Sequence, residues 1–211
     1  YKVALNAGMS CPNRDGTIDT RGCIFCSEGG SGDFASSNRL SITDQITEGK
    51  NRVCRKIKDT QGTGQYIAYF QAYTNTYAPI ERLRKIYTEA AANDDIAAIS
   101  IATRPDCIDE EIMSLIYEIH LIKPVFIELG LQTTKEASYK YIRRGYDNFI
   151  FENAIKLINK YNDKINTKEN HIHIIVHTII GLPGETYEDM VAANASYAND
   201  AFQRIIKQAQ E

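Results

Sequence analysis

Short apolar segments alternate along this chain with segments in which apolar residues recur at helical spacing. Five segments rich in β-branched and aromatic residues predict strands, over residues 1–7, 65–72, 95–105, 123–133 and 171–185. The intervening pattern predicts helices over 41–60, 79–93, 109–120, 135–144, 149–161 and 186–198. The chain therefore alternates strand and helix over most of its length.

This alternation predicts an α/β fold with a parallel sheet, because parallel neighbours need a crossover connection that is usually a helix. The apolar runs predict strands that are buried on both faces. In such sheets, ligands bind beyond the carboxyl ends of the strands. Here those ends read CPNRDG, QAYTNTY, ATRPD, ELGLQT and GLPGE. This concentration of polar, glycine and proline residues predicts a functional site at that edge of the sheet.

Composition narrows the class of protein. Apolar residues make up 43% and charged residues 24% of the 211 residues, which is typical of a globular domain. A net charge of −3 gives no global signal for nucleic acid or an anionic membrane, and no apolar run is long enough for a transmembrane helix. We expect no membrane partner. Residues 1–211 are expected to form one core domain that is incomplete at one or both ends.

Three of the five cysteines are concentrated near the start of the chain, at Cys11, Cys23 and Cys26. An odd count with uneven spacing argues against a secreted disulfide framework, so we expect a cytoplasmic protein. Soft thiolates favour iron–sulfur clusters, zinc or copper(I). Three thiolates suit a metal centre that keeps one coordination position open. The alternatives are a zinc site completed by a distant histidine and a lone redox CxxC; Cys54 and Cys107 are expected to be ordinary core or surface residues.

CPNRDG, GCIFC, AYFQAYTNTY, ATRPD, ELGLQT, RRG and GLPGET, in this order, resemble the radical S-adenosylmethionine (SAM) superfamily. Within it the chain is similar to the YhcC-like group, which is related to the branch of oxygen-independent coproporphyrinogen oxidase and the elongator catalytic subunit. The resemblance covers nearly the whole chain. It implies a partial, open TIM-type (β/α)6 barrel with mostly parallel strands. The last strand of that barrel is not evident in this sequence.

The resemblance also implies a chemistry. Cys11, Cys23 and Cys26 would be the metal ligands of a [4Fe-4S] cluster, and the methionine part of SAM would chelate the unique iron. One electron from a flavodoxin- or ferredoxin-type donor would then yield a 5′-deoxyadenosyl radical that abstracts hydrogen from a substrate. The enzyme would be a radical SAM oxidoreductase or transferase of unknown substrate, for which RNA is one candidate. The alternative is a non-catalytic zinc-binding interaction domain.

Cofactor contacts follow from the same resemblance. Phe25 occupies the place of an aromatic residue near the adenine, with local loop packing as the alternative. Tyr73, Thr74 and Asn75 replace a glycine-rich segment that contacts the methionine amino group. Arg104 remains a candidate contact because Ala102 stands where relatives carry a glutamate.

Later segments add further contacts. Gln132 resembles a glutamine that contacts the ribose, and Arg144 has the spacing of an arginine that pairs with the methionine carboxylate. The alternative is that Arg144 is a solvated helix residue. Gly181 and Glu185 belong to a turn that would run against the adenine, although Glu185 could instead favour the start of the next helix.

Three further features have alternative interpretations or no assigned cofactor role. Glu128 is either a buried acid within the barrel or a ligand-facing group. His171, His173 and His177 share one side of a strand but are too far apart to bind one metal together, and His177 is expected to line the substrate cavity. The basic run at 50–58 is either an RNA contact or a solvated helix face.

Overall fold

Five parallel strands form one sheet in the computed structural model, which describes residues 1–54, 65–167 and 170–195. The strands lie side by side in chain order and are β1 (Lys2–Leu5), β2 (Tyr66–Phe70), β3 (Ile96–Thr103), β4 (Val125–Gln132) and β5 (His173–Thr178). Every adjacent pair is parallel. The predicted α/β class and the five predicted strands are thereby confirmed.

Helices connect the strands and cover one face of the sheet. They are α1 (Ile42–Cys54), α2 (Ile80–Ala91), α3 (Glu110–His120), α4 (Glu136–Tyr141), α5 (Asn148–Asn162) and α6 (Tyr187–Ala195), with a short 3-10 turn at Pro105–Cys107. Carboxylates fix two of the helix starts: Asp109 accepts from the Ile112 backbone N–H at 2.8 Å, and Asp147 accepts from that of Ile150 at 3.1 Å. The end of the predicted helix at 41–60 and the basic residues 55–58 lie outside the described residues.

The apolar core lies between the sheet and these helices. Alternate strand residues point into it and are fully or almost fully buried; they include Val3, Leu5, Phe70, Ile99, Ile101, Val125, Ile127, Leu129 and Leu131. Leu83 of α2, Ile116 of α3 and Phe151 of α5 cover them from the helix layer. The outer face of the sheet is therefore a conventional hydrophobic core, stabilised by removal of apolar surface from water.

The opposite, inner face of the sheet carries polar side chains. The prediction of strands buried on both faces holds for most residues of the central strands β3 and β4, where Ser100 and Glu128 are buried on this face. It is wrong for the edge strands β1 and β5, where Lys2 and His177 are exposed. Lys2, Tyr69, Ser100, Glu128 and His177 alternate with the core residues and lie on this face. Strand residues alternate between faces with a period of two. The apolar runs conceal that alternation because small or apolar residues separate the polar ones. The inner face lines a cavity instead of a second layer of core.

Within the part of the chain that the structure describes, no helix has both the length and the apolar character needed to cross a bilayer.

Candidate functional site

A cavity of about 260 Å³ lies at the carboxyl-terminal edge of the sheet and extends onto its inner face. All three clustered cysteines line it, each as a free, half-buried thiol. The sequence had predicted a site at this edge. The structure places Cys11, Cys23 and Cys26 on one cavity although the first two are twelve positions apart in the sequence.

Short hydrogen bonds hold the cysteine loop in this position. The Asn13 amide donates to the Cys23 sulfur at 3.2 Å and to the Arg143 carbonyl at 2.7 Å, which ties the loop to the segment after α4. Arg14 donates to the carbonyls of Cys26 and Ser27 at 3.0 and 2.6 Å. The loop is thus tied down by two polar side chains that the motif CPNRDG supplies.

A buried arginine lies beside the thiols. Arg104 is only 8% exposed and lines the same cavity. It forms a bidentate pair with Asp106 at 2.9 and 2.6 Å, and its guanidinium lies 4.8 Å from the centre of the Tyr146 ring. Burial raises the pKa of the Cys23 thiol, while the Asn13 hydrogen bond and the Arg104 charge oppose that rise. A metal bound here would replace the proton and remove the cost of burying a free thiolate.

Five of the residues predicted to contact a cofactor lie on the wall of this cavity: Phe25, Tyr73, Thr74, Arg104 and Gln132. Tyr73 and Gln132 have positive φ angles of 62° and 60°, a conformation that non-glycine residues seldom adopt. Tyr73 lies in the loop after β2, and Gln132 is the last residue of β4. The Tyr73 hydroxyl donates to the Glu28 carbonyl at 2.9 Å, and the Tyr146 hydroxyl lies 3.3 Å from the Gln132 side-chain oxygen.

Asn75 does not reach the cavity wall. It is fully buried, and its amide donates to the carbonyls of Phe70 and Ala102 at 2.9 and 3.0 Å, which joins the ends of β2 and β3. Its side-chain oxygen has no hydrogen-bond partner among the described residues. Asn75 therefore stabilises the strand ends that border the cavity and does not line it.

Arg144 is also fully buried and lies behind the wall. Its guanidinium donates to the carbonyls of Leu131, Thr133 at 2.9 Å and Tyr146 at 3.0 Å, and to the Asn148 side chain at 3.0 Å. The alternative of a solvated helix residue is therefore wrong. These protein partners occupy most of the N–H donors of the guanidinium. The expected pairing with the methionine carboxylate stays a prediction.

The turn after β5 stands apart from the cavity. Gly181 has a φ of +87° and open space around its α-carbon, and the Glu185 carboxylate accepts a hydrogen bond from the Thr133 hydroxyl. The structure does not bring either residue to the thiols. Their contact with the adenine stays a prediction.

The inner-face part of the cavity contains polar residues that had no assigned cofactor role: Tyr69, Gln71, Glu128, Tyr146 and His177. Glu128 is only 3% exposed, which makes it both the buried acid and the cavity-lining group that the sequence left as alternatives. Burial alone would raise its pKa, but hydrogen bonds from His177, Lys2 and Ser100 outweigh burial and lower the pKa to about 2. The period-two spacing of polar residues in the strands was the signal that could have identified this group.

The other histidines do not join His177. His173 stacks on Phe126 with ring centres 4.8 Å apart. Among the described residues, no three histidine, cysteine, aspartate or glutamate side chains are arranged around a single metal ion. Two larger grooves, of about 640 and 770 Å³, lie outside the cavity and contain none of the clustered cysteines. The cavity that contains the three thiols, Glu128 and His177 is therefore the candidate functional site.

Comparison with known proteins gives consistent matches. A family model described as the Radical SAM superfamily matches residues 20–194. YtqA of Bacillus subtilis (strain 168) is 42% identical over 201 residues, which are 95% of this chain and 58% of that protein. YhcC of Escherichia coli (strain K12) is 36% identical over 186 residues, which are 88% of this chain and 55% of that protein. The chain spans a little over half the length of these relatives. Among solved structures, the archaeal Elp3 of Methanocaldococcus infernus shares the fold, with a TM-score of 0.61 at 15% identity over 94% of this chain and 42% of that chain.

Proposed function

The chain belongs to the radical SAM superfamily, and we propose that Cys11, Cys23 and Cys26 bind three irons of a [4Fe-4S] cluster. The family match confirms the resemblance drawn from the motifs, and with it the cofactors of the family, a [4Fe-4S] cluster and SAM. Cys23 and Cys26 lie within the matched residues, whereas Cys11 precedes them. The assignment of Cys11 therefore rests on its position in the cavity.

One observation carries the proposal: three free thiols and a buried arginine line one cavity at the carboxyl edge of a parallel sheet. The donor set fits the group, because soft thiolates are the ligands that iron–sulfur clusters prefer. The cavity also continues beyond the thiols and leaves room for a second ligand.

The bound cofactors supply the reductive cleavage of SAM, which produces a radical able to remove a hydrogen atom from a substrate carbon. The residues of this chain position the cofactors and set the charges and hydrogen bonds around them. The Asn13 N–H donates to one sulfur, and hydrogen bonds to sulfur are a means of tuning cluster potential. Arg104 contributes positive charge beside the thiolates. Phe25, Tyr73, Thr74 and Gln132 form the wall that we assign to SAM.

We assign supporting roles to the predicted contacts that lie off the wall. Asn75 joins two strand ends, and Arg144 holds the carbonyls at the end of β4. A one-electron donor of flavodoxin or ferredoxin type is the proposed partner, and the chain is proposed to be the core domain of an oxidoreductase or transferase. RNA remains one candidate substrate.

The proposal is tested by anaerobic reconstitution with iron and sulfide. We expect about four irons and four sulfides per chain, and 5′-deoxyadenosine after addition of SAM and dithionite. Cys11→Ala, Cys23→Ala and Cys26→Ala should each abolish its formation. Cys54→Ala is the matched control, because Cys54 is exposed at the end of α1 and does not line the cavity.

Two outcomes would overturn the proposal. One is a protein that binds stoichiometric zinc and takes up no iron, which would support a non-catalytic zinc-binding interaction domain. The other is a fully loaded cluster with no cleavage of SAM under any reductant.

A further inference from the structure

The inner face of the sheet carries a charged group that the cofactor assignment does not use. The Glu128 carboxylate is almost completely buried in the centre of β4. One of its oxygens accepts hydrogen bonds from the Lys2 ammonium and the Ser100 hydroxyl. The other lies 2.8 Å from Nε2 of His177. The residues come from four strands, so the folded sheet is needed to assemble them.

Glu128 fixes the proton on the His177 ring. An ionised carboxylate is only an acceptor, so a ring nitrogen at 2.8 Å must be the donor. The low pKa of Glu128 keeps it ionised at neutral pH. In the neutral imidazole, Nε2 therefore carries the proton and Nδ1 has a lone pair. Nδ1 has no hydrogen-bond partner within the residues that the structure describes.

His177 is placed to use that lone pair. Its side chain is 45% exposed and lines the cavity that also contains the three cysteines. Lys2 and Glu128 bring opposite charges together, and Lys2 lies 4.3 Å from the centre of the Tyr69 ring. Burial, together with the charge of Glu128 and a hydrogen bond to it, raises the pKa of the Tyr69 phenol, so this neighbour stays protonated. His177 is thus the proton-accepting group on this part of the wall.

We infer that His177 is the proton acceptor of the substrate cavity, that Glu128 is its positioning residue, and that the substrate offers an O–H or N–H group to Nδ1. This inference rests on the proposed function, because it takes the space beyond the thiols as the substrate position. The substrate is therefore a polar molecule with an O–H or N–H group at the His177 part of the cavity wall.

The step is a proton transfer without a redox partner. The substrate O–H or N–H bond breaks, its electron pair stays on the oxygen or nitrogen, and a new N–H bond forms at Nδ1. The resulting imidazolium is stabilised by the Glu128 carboxylate at Nε2, as in other histidine–carboxylate pairs. No electron leaves the substrate in this step.

The test uses the intact chain without cofactor, labelled with 15N-histidine. Nitrogen chemical shifts report which ring nitrogen carries the proton, and His177→Gln identifies the signals among four histidines. We expect Nε2–H with a bare Nδ1, and an Nε2 proton that exchanges with water at least about tenfold more slowly than that of His173. Glu128→Gln should remove this protection. Ser100→Ala, which deletes another partner of Glu128, is the matched control and should retain it.

A chemical probe measures the reactivity of the bare nitrogen. Diethyl pyrocarbonate acylates unprotonated imidazole, and peptide mass spectrometry separates His173 from His177. In the wild-type chain His177 should react faster than in Glu128→Gln, because the hydrogen bond from Nε2–H to the carboxylate keeps the lone pair on Nδ1, which has no partner among the described residues. A merely structural histidine would show no such dependence.

Three outcomes for His177 would overturn the inference. An Nδ1-protonated ring or an unprotected Nε2 proton in the wild type would do so even if Glu128→Gln fails to fold. So would a His177 that resists acylation while His173 reacts. Neither measurement involves iron or SAM, so a failure here is distinguishable from a failure of cluster assembly or of SAM cleavage.

Discussion

Replacement of Arg144 by methionine is the sharpest test of how the cavity wall is supported. The change keeps a long, unbranched side chain but removes every donor. In the folded protein the guanidinium serves three backbone carbonyls and the Asn148 side chain, between the rings of Tyr139 and Tyr146 at 4.4 and 4.6 Å. We expect Arg144→Met to lower the free energy of unfolding strongly.

The magnitude follows from the groups left without partners. A buried acceptor without a hydrogen bond costs about 1–3 kcal/mol. The carbonyls of Thr133 and Tyr146 and the side-chain oxygen of Asn148 lose their donor, whereas the Leu131 carbonyl keeps the Thr133 backbone N–H at 2.8 Å. Relaxation and partial solvation reduce the sum, so the expected loss is roughly 3–5 kcal/mol. With a urea dependence of about 2 kcal/mol per molar, the midpoint should fall by about 1.5–2.5 M. Such a loss is a large part of the usual stability of a domain.

The assay is urea unfolding of the chain without cofactor, followed by far-ultraviolet circular dichroism. Arg143→Met is the matched control, because the neighbouring side chain makes no hydrogen bond among the described residues and its Nε is buried without a partner. That variant should change the free energy of unfolding by less than about 1 kcal/mol. If Arg144→Met does not fold, Arg144→Lys, which keeps the charge and some donors, should give an intermediate loss.

Equal stability of the Arg143 and Arg144 variants would refute the reasoning. If Arg144→Met were as stable as the wild type and lost only affinity for SAM, the carboxylate contact expected from the sequence would be favoured over a supporting role.

Three further changes probe other parts of the fold. Gly49→Ala should lower the free energy of unfolding by about 1–3 kcal/mol, because the new methyl carbon would lie 2.2 Å from Val3 Cγ1, and this clash outweighs a helix-propensity gain of about 1 kcal/mol. Adding Val3→Ala should recover part of the lost stability in urea unfolding. A Gly49→Ala variant more stable than the wild type would contradict this packing. The Glu128 pKa of about 2 lies below its ordinary 4.5, so its ionisation should stabilise the fold above about pH 4.5 and this contribution should disappear as the pH falls toward 2. A plot of the free energy of unfolding against pH should be flatter for Glu128→Gln than for the wild type between pH 2 and 4.5. Parallel plots for the two proteins would exclude the effect. Gly30→Ala should lower both stability and iron content, because φ is +63° and the added carbon would lie 2.5 Å from the Tyr73 ring; normal iron loading would count against a packed wall there.

The cysteine motif shows how far local sequence reaches. Three thiols, a CxxC and a set of ordered strand-end motifs indicated the family, and the family match confirms it. The alternation of apolar runs with helical spacing predicted five parallel strands, because both patterns are local properties of the chain. The predicted roles of the site residues are untested, since they depend on distances to ligands.

Arg143 and Arg144 show what the local sequence could not predict. They are adjacent and chemically identical in the sequence, yet one has a buried nitrogen without a partner and the other bonds to three carbonyls. Gln132 and Tyr73 likewise give no local sign of their positive φ angles. The backbone at the strand ends decides which side chains reach the cavity and which support it.

The order of elements and the location of the site at one sheet edge were determined by the sequence alone, because they follow from residue type and spacing. The iron–sulfur chemistry followed from the resemblance of the ordered motifs to a family, which the family match confirms. The polar inner face was decided by tertiary structure. Lys2, Ser100, Glu128 and His177 are spread over four strands, and only the parallel register brings their charges and hydrogen bonds together. A buried carboxylate is stable only when such partners surround it, and no local stretch of the chain contains them.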